Sequence, residues 1–368
     1  MVSRYDPRPE PRAMQSLVIQ PAMYGALRSL LVSVHALPLA TVLRGARSLG
    51  RSFGGSRLNR VRVSRAVDRL AVAMPELEYE QRYELVIQSY GHLAMLAVEL
   101  AVLPRYLSED AWSDYIELGS LDEVIRPLID DEPTLLLTGH CGNWEALGYT
   151  MALLGFRMHV LYRPLDLRPA DAWLRQTRSR RGLELVDKFG AMHKLPGLLS
   201  AGESIGIVAD QNAGDRGMQV PFMGRLASSY KSIGLMAIQH RAKIIVGNAR
   251  RLEMYPNERV KLKYRIEIYD RINPEDWESH PDPLFYITAR YRRAIEQSVR
   301  KAPEQYLWMH RIWKSRPRHE RLNKPFPKNL REKLESLPWM TDQEVEQIVD
   351  RSDRDRAFML EQNITHFK

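Results

Sequence analysis

The chain has little cysteine and no long apolar run, and each shortage narrows what it can be. Cys141 is the single cysteine in 368 residues, so neither an intrachain disulfide nor a zinc cluster can form, and a reducing, cytoplasmic setting fits best. The uncharged run Ser29 to Leu43 has 15 residues and contains His35 and Pro38. A full membrane span needs roughly 20, and the run starts too late and lacks the cleavage site of a signal peptide. Proline and glycine are scattered, which leaves no low-complexity linker, and no repeat shows. Acidic residues are scarce at the start. Residues 1–70 carry twelve arginines against Asp6, Glu10 and Asp68, a balance of +9 that equals the net charge of the whole chain, so the remainder is neutral. Nucleic acid and anionic lipid both attract such a segment. No nucleic-acid-binding motif accompanies the charge, whereas Arg28, Arg44, Arg47 and Arg51 rim the apolar run. That pattern suits a helix lying in the interface of an anionic membrane surface. A buried helix with a solvated basic flank is the competing reading.

Residues 75–104 read as one or two amphipathic helices, with Glu99 on an otherwise apolar stretch, either buried with a partner or at the surface. From Pro133 onward short apolar runs alternate with helical segments. Strands are predicted over 134–138, 158–162, 183–186, 204–209 and 243–248, and helices over 143–154, 170–181, around 195–199, 230–241 and 283–299. A glycine-rich loop joins Gln211 to Gly224. Residues 262–268 alternate apolar and polar, as a half-buried strand at a sheet edge does. Alternating strands and helices predict an α/β fold, a mostly parallel mixed sheet with helices on both faces. The organisation expected is a basic N-terminal segment over 1–70, an α/β domain over 71–325, and a charged, helical extension over 326–368.

Ligands in such sheets sit at the carboxyl ends of strands. His140 and Asp210 each follow a predicted strand. In His140-Cys-Gly-Asn-Trp-Glu145 a carboxylate follows a histidine by five places. On a regular helix the two would splay by roughly 140°, so they meet only if the histidine precedes the helix. Gly139 and Gly142 bracket His140 in a turn, and Asn143 is a good N-cap. Glu145 would then accept a hydrogen bond from one imidazole nitrogen, leaving the other as a general base. A satisfied core histidine beside a chance glutamate is the plainer alternative. No strong enzyme nucleophile accompanies the pair. Cys141 reads as a small buried residue, and Ser204, in Gly202-Glu-Ser-Ile-Gly206, stands before a strand rather than after one. Direct transfer to a substrate hydroxyl is then the simplest chemistry.

The segment Gly139-His-Cys-Gly-Asn-Trp-Glu145 resembles the signature of the bacterial lipid A biosynthesis lauroyl/myristoyl acyltransferases, a pattern shared by phosphatidylinositol mannoside acyltransferases. Leu161-Tyr-Arg-Pro164 with Arg175 and Arg181-Gly182, Val208-Ala-Asp-Gln211 leading to Val220-Pro-Phe-Met-Gly224, and Pro303 to Arg311 with Trp313-Lys314 and Arg316-Pro317 agree in order and spacing. The resemblance covers roughly residues 20–320. It implies a glycerolipid-acyltransferase-like fold at the cytoplasmic face of the bacterial inner membrane. The donor would be acyl-acyl carrier protein or acyl-CoA, the acceptor a membrane glycolipid such as a lipid A precursor, and no cofactor or metal would be needed. His140 would be the base and Glu145 its orienting carboxylate. Arg163 is the candidate oxyanion donor, or else a strand-end salt bridge. Asp210, Gln211 and Asn143 are the further candidate substrate-binding residues, with Asp210 and Gln211 otherwise capping the glycine-rich loop. Arg175, Arg178, Arg180 and Arg181 would face carrier protein or lipid phosphates, or simply solvent. Leu147, Met151, Leu154, Phe222 and Met223 are candidate walls of an acyl groove, or else the helical face of Leu147, Met151 and Leu154 simply packs on the sheet. A thioester hydrolase and a non-catalytic lipid-binding protein remain the alternatives.

Overall fold

A computed structural model describes residues 13–119, 122–179, 182–252 and 262–367. Four helices come first: α1 (Ala13–Ala36), α2 (Leu39–Gly54), α3 (Arg60–Ala73) and α4 (Tyr79–Tyr106). Pro38 splits the uncharged N-terminal run between α1 and α2. A proline lacks the N–H that would continue the first helix and readily starts the second. α2 lies close against α4 because glycines meet there: a Cβ on Gly50 would stand 2.4 Å from the carbonyl oxygen of Tyr90. Among the described residues α4 is the one helix long and apolar enough to cross a membrane, but most of its apolar stretch is buried inside the protein.

Nine strands follow in chain order: β1 (Ile116–Leu118), β2 (Thr134–Thr138), β3 (Met158–Tyr162), β4 (Leu183–Asp187), β5 (Ser204–Val208), β6 (Met218–Phe222), β7 (Arg225–Ser229), β8 (Lys243–Arg251) and β9 (Tyr264–Ile272). Seven form one sheet in the order β1-β9-β8-β2-β5-β3-β4. Its pairs are parallel except β8 with β9. β9 is therefore not the edge expected from its alternation, because the short β1 covers it. β6 and β7 make a separate hairpin where the sequence suggested only a loop.

Side chains of β2 alternate between the faces. Leu135 and Leu137 enter a core that includes Ile205, Phe285, Ile295 and Trp308. Leu136 packs against the opposite core with Tyr149, Met151, Met158 and Leu183. The helix Trp144–Leu153 covers that second face, and the long helix Pro283–Lys301 packs in the first core. At the C-terminus, Thr341 and Glu344 form a capping box that starts the helix Asp342–Glu361. That helix is tied to the body by a buried ionic cluster. Asp355 pairs with both Arg225 and Arg316, Arg316 also pairs with Glu320, and the Ser352 hydroxyl donates to Glu320.

Candidate active site

Strand register places the two central groups. β2 and β5 are parallel neighbours with Thr138 opposite Val208, so the residues two places past each strand end, His140 and Asp210, also come face to face. Asp210 Oδ2 accepts from the His140 backbone N–H at 2.8 Å, and Oδ1 lies 2.6 Å from His140 Nδ1. On the other side of the imidazole, Gln211 Nε2 lies 3.3 Å from His140 Nε2 and 3.2 Å from His310 Nε2. One arrangement of protons satisfies all of this: Nδ1–H donates to Asp210, and Nε2 keeps its lone pair and accepts from the Gln211 amide. Burial alone would lower the His140 pKa, but the Asp210 charge and hydrogen bond raise it above the usual histidine value. Asp210 is buried, which by itself would raise its pKa, yet His140, with help from Arg292, holds it well below the carboxylate range. Burial and the neighbouring His140 together push His310 down.

Glu145 does not take the place expected for it. It lies in the first helical turn as predicted, but it forms a two-point ion pair with Arg178, through Nε at 3.0 Å and a second, shorter contact through Nη2. The imidazole is supported by Asp210 instead. The reason is geometric: the start of the helix carries Glu145 toward Arg178, while the parallel strand delivers a carboxylate directly opposite the histidine. Arg178 thus faces inward rather than toward a partner, and Arg175 lies over the Tyr162 ring. Arg180 and Arg181 lie outside the described residues. Arg163 is exposed just past β3 and makes no hydrogen bond or ion pair among the described residues.

Asn143 is the predicted N-cap, its Oδ1 accepting from the Ala146 N–H at 2.9 Å. It is not free to bind substrate, since Nδ2 donates to Glu99 Oε2 and to the Tyr264 hydroxyl, both at 3.0 Å. Glu99 is fully buried and pairs with Arg251 and Tyr264. This network, with His92 Nε2 3.1 Å from the Gly142 carbonyl, holds the loop after His140 from behind. Burial, reinforced by Arg251, pushes His92 down to about 3, so it is neutral and donates that bond. Gly142 needs its positive φ of 67° and its missing side chain, because a Cβ would meet the Ala249 carbonyl oxygen at 2.3 Å. Cys141 is buried and burial raises its thiol pKa, so it is no nucleophile. Ser204 is buried at the start of β5.

An apolar cavity runs beneath the helix Trp144–Leu153, with Leu147, Met151, Met158, Leu183 and Ile268 on its walls and Thr138, Trp144, Glu145 and Arg178 also lining it. Of the expected groove residues, Leu147 and Met151 line it. Phe222 and Met223 do not, since both are buried in the core on the other face of the sheet, and Leu154 is not among its walls. The Trp144 ring stands edge-on to His140 with centroids 5.0 Å apart. His310, whose ring centroid is 5.1 Å from that of His140, reads in sequence as a core residue. The signal that marks it is its place in the Trp308-Met-His310-Arg311 segment.

The chain is similar in sequence to known proteins. The chain is 25% identical over 260 residues to the lipid A biosynthesis palmitoleoyltransferase of Escherichia coli (strain K12), covering 70% of this chain and 80% of that one. The same figures hold for a lipid A biosynthesis acyltransferase of Shigella flexneri. The Haemophilus influenzae lipid A biosynthesis acyltransferase is 22% identical over 256 residues, 69% of this chain and 76% of its own. A family model matches residues 14–315, and on that match the chain belongs to the bacterial lipid A biosynthesis acyltransferases.

Proposed function

We propose that this acyltransferase, on a glycerolipid-acyltransferase-like fold, moves a fatty acyl group from acyl-acyl carrier protein or acyl-CoA to a hydroxyl of a lipid A precursor. His140 is the general base and Asp210 is the carboxylate that orients it. The observation that carries the reading is the 2.6 Å contact between His140 Nδ1 and Asp210, which leaves Nε2 as a positioned acceptor with a raised proton affinity. Nε2 takes the proton of the acceptor hydroxyl as that oxygen attacks the thioester carbonyl carbon. The carbonyl π electrons move onto oxygen. When they return, the C–S bond breaks, and the proton on Nε2 passes to the departing thiolate. The products are an ester and a thiol, and the enzyme is unchanged.

The developing oxyanion needs a fixed donor. Gln211 Nε2 lies 3.3 Å from the reacting nitrogen, and its N–H toward His140 is released once Nε2 takes the acceptor proton; Arg163 is exposed, so Gln211 takes the role first considered for Arg163. The backbone alternatives in the loop are committed: Gly142 N–H donates to Gln305 and Asn143 N–H to Ala249. The apolar cavity beside Trp144, about 80 Å³ in volume, is assigned to part of the acyl chain. Attachment to the cytoplasmic face of the inner membrane is assigned to the N-terminal helices. Met23, Val32, Leu37, Leu49 and Phe53 are exposed there, interleaved with Arg28, Arg44 and Arg47.

The test is product analysis with purified protein, a labelled acyl thioester and a lipid acceptor. Wild type should form acylated lipid only when acceptor is present, and His140→Ala should lose roughly 10²–10⁴ in rate while staying folded. Free fatty acid released at the same rate without acceptor would make the protein a hydrolase. Lipid binding without turnover, unaffected by His140→Ala, would make it a carrier.

A further inference from the structure

A trough of about 760 Å³ lies between α3, the segment after His310, and the C-terminal helix Asp342–Glu361. It shares Arg311 and Lys314 with a smaller cavity lined by Gln211 and His310, so the two adjoin on the side of the amide beside His140. Seven cationic side chains line the trough: Arg65, Arg69, Arg225, Arg311, Lys314, Arg351 and Arg354. The walls carry two carboxylates, Asp68 and Asp355, and Asp355 is already shared by Arg225, Arg316 and Arg351. Arg65, Arg311, Lys314 and Arg354 make no ion pair among the described residues. The repulsion registers on the groups themselves. Arg69 is lowered by burial and then by Arg311 and Arg65, and Arg351 by burial, with Arg354 and Arg316 adding to it against Asp355. Like charges gathered in a concavity cost free energy that an anionic ligand would recover.

We propose that this trough binds a phosphate ester on the sugar headgroup of the acceptor lipid, and that the C-terminal segment, through Arg351 and Arg354, completes the site. The inference rests on the acyltransferase reading for the word acceptor. Arginine forks match phosphate oxygens at two points, and a deep trough takes a discrete headgroup, whereas a flat bilayer would call for a flat basic face. Phosphate could also arrive on the donor, in its phosphopantetheine or nucleotide part. The acceptor is favoured because the apolar cavity assigned to part of the donor's acyl chain lies beneath the helix Trp144–Leu153, while the trough adjoins the cavity lined by Gln211 and His310. A transferase needs its two substrates to approach the base from different sides. Arg351 and Arg354 lie beyond the matched residues 14–315, so the segment outside the family match supplies a recognition element to the family's site.

The experiment compares full-length wild type with Arg351→Gln/Arg354→Gln, and with Arg354→Gln alone, whose exposed position spares the fold. Steady-state kinetics use a phosphorylated glycolipid acceptor, the same lipid after phosphatase treatment, and acyl-CoA as donor. The double variant should raise KM for the phosphorylated acceptor roughly 10–100-fold. It should leave donor KM unchanged and add nothing to the already raised KM for the dephosphorylated lipid, as two changes to one contact should. Equal effects on both acceptors would overturn the proposal, and a rise confined to donor KM would reassign the trough to the donor and overturn it too. Calorimetric titration with inorganic pyrophosphate separates this inference from the acyltransferase reading. If wild type transfers no acyl group but binds pyrophosphate, and the double variant does not, the phosphate site stands and the transferase reading falls. Equal pyrophosphate binding by both proteins would remove the site.

Discussion

Asp210→Asn keeps the size of the side chain but supplies one acceptor oxygen where the carboxylate supplies two. In the native site both are used, one by the His140 backbone N–H at 2.8 Å and one by Nδ1 at 2.6 Å. If the amide oxygen keeps the backbone bond, its NH₂ faces Nδ1. Nδ1 must then become the acceptor, and the imidazole proton moves to Nε2, where it blocks the base. The opposite rotamer sets the NH₂ against the backbone N–H, two buried donors facing each other at a cost of about 1–3 kcal/mol. Either way the expected loss in kcat is roughly 10²–10⁴. The pH profile provides the diagnostic. In the proposed mechanism the active base is neutral His140, whose pKa Asp210 raises, so the acid limb of kcat/KM in wild type should lie above the ordinary histidine value of about 6.5. Removing the anion should shift that limb to lower pH while the plateau falls. Acyl transfer measured from pH 5 to 9, with thermal melting to verify folding, tests both. A variant that keeps more than about a third of wild-type kcat, or an acid limb that does not move, would refute the His140–Asp210 assignment.

Glu145→Gln should behave differently. It breaks the pair with Arg178, so thermal stability should fall by about 1–3 kcal/mol, while the acid limb stays in place. A shifted limb would mean that Glu145 acts on His140 after all. Met151→Trp fills the apolar cavity and should favour shorter acyl donors; a uniform loss across donor lengths with a lower melting temperature would indicate overpacking of a core. Deleting residues 1–45 should move the protein from membrane pellet to supernatant, and added salt should weaken what attachment remains. Retention in the pellet at high salt would place the attachment elsewhere.

The strands were legible where they are fully buried and punctuated. β2 and β3 begin and end where their apolar runs do, and Gly155, at φ 90°, marks the stop after the helix between them. The hairpin β6–β7 escaped because its signals are weak. Its turn residues, Met223 and Gly224, both have positive φ, but methionine is a poor advertisement for such a turn. Its second strand buries Arg225, Ser228 and Ser229, a polar run that stays inside because Asp355, 130 residues away, answers Arg225. The same blindness to distance governed the site. His140 was identifiable from local turn chemistry, and Asp210 and Gln211 from their place after a strand. The exchange of Glu145 for Asp210 was not readable, because it depends on which strands lie side by side and in what register. Glu99 was ambiguous for the same reason: its partners Arg251 and Tyr264 belong to distant strands.

The buried ionic cluster at the C-terminus bears on how the protein can be handled. Residue 315 is where the family match stops and would be a natural place to cut. Cutting there removes Asp355, Arg316 and Glu320 together and strips Arg225, now largely shielded from solvent, of its carboxylate. The same cut removes Phe367, over whose ring the Arg225 guanidinium lies, so that group loses its carboxylate and part of its cover together; in the intact chain burial lowers its pKa to about 9. A protein trimmed to its recognisable portion would therefore carry at the edit an opened face, with Trp313 and Leu226 beneath it, that the intact chain keeps covered.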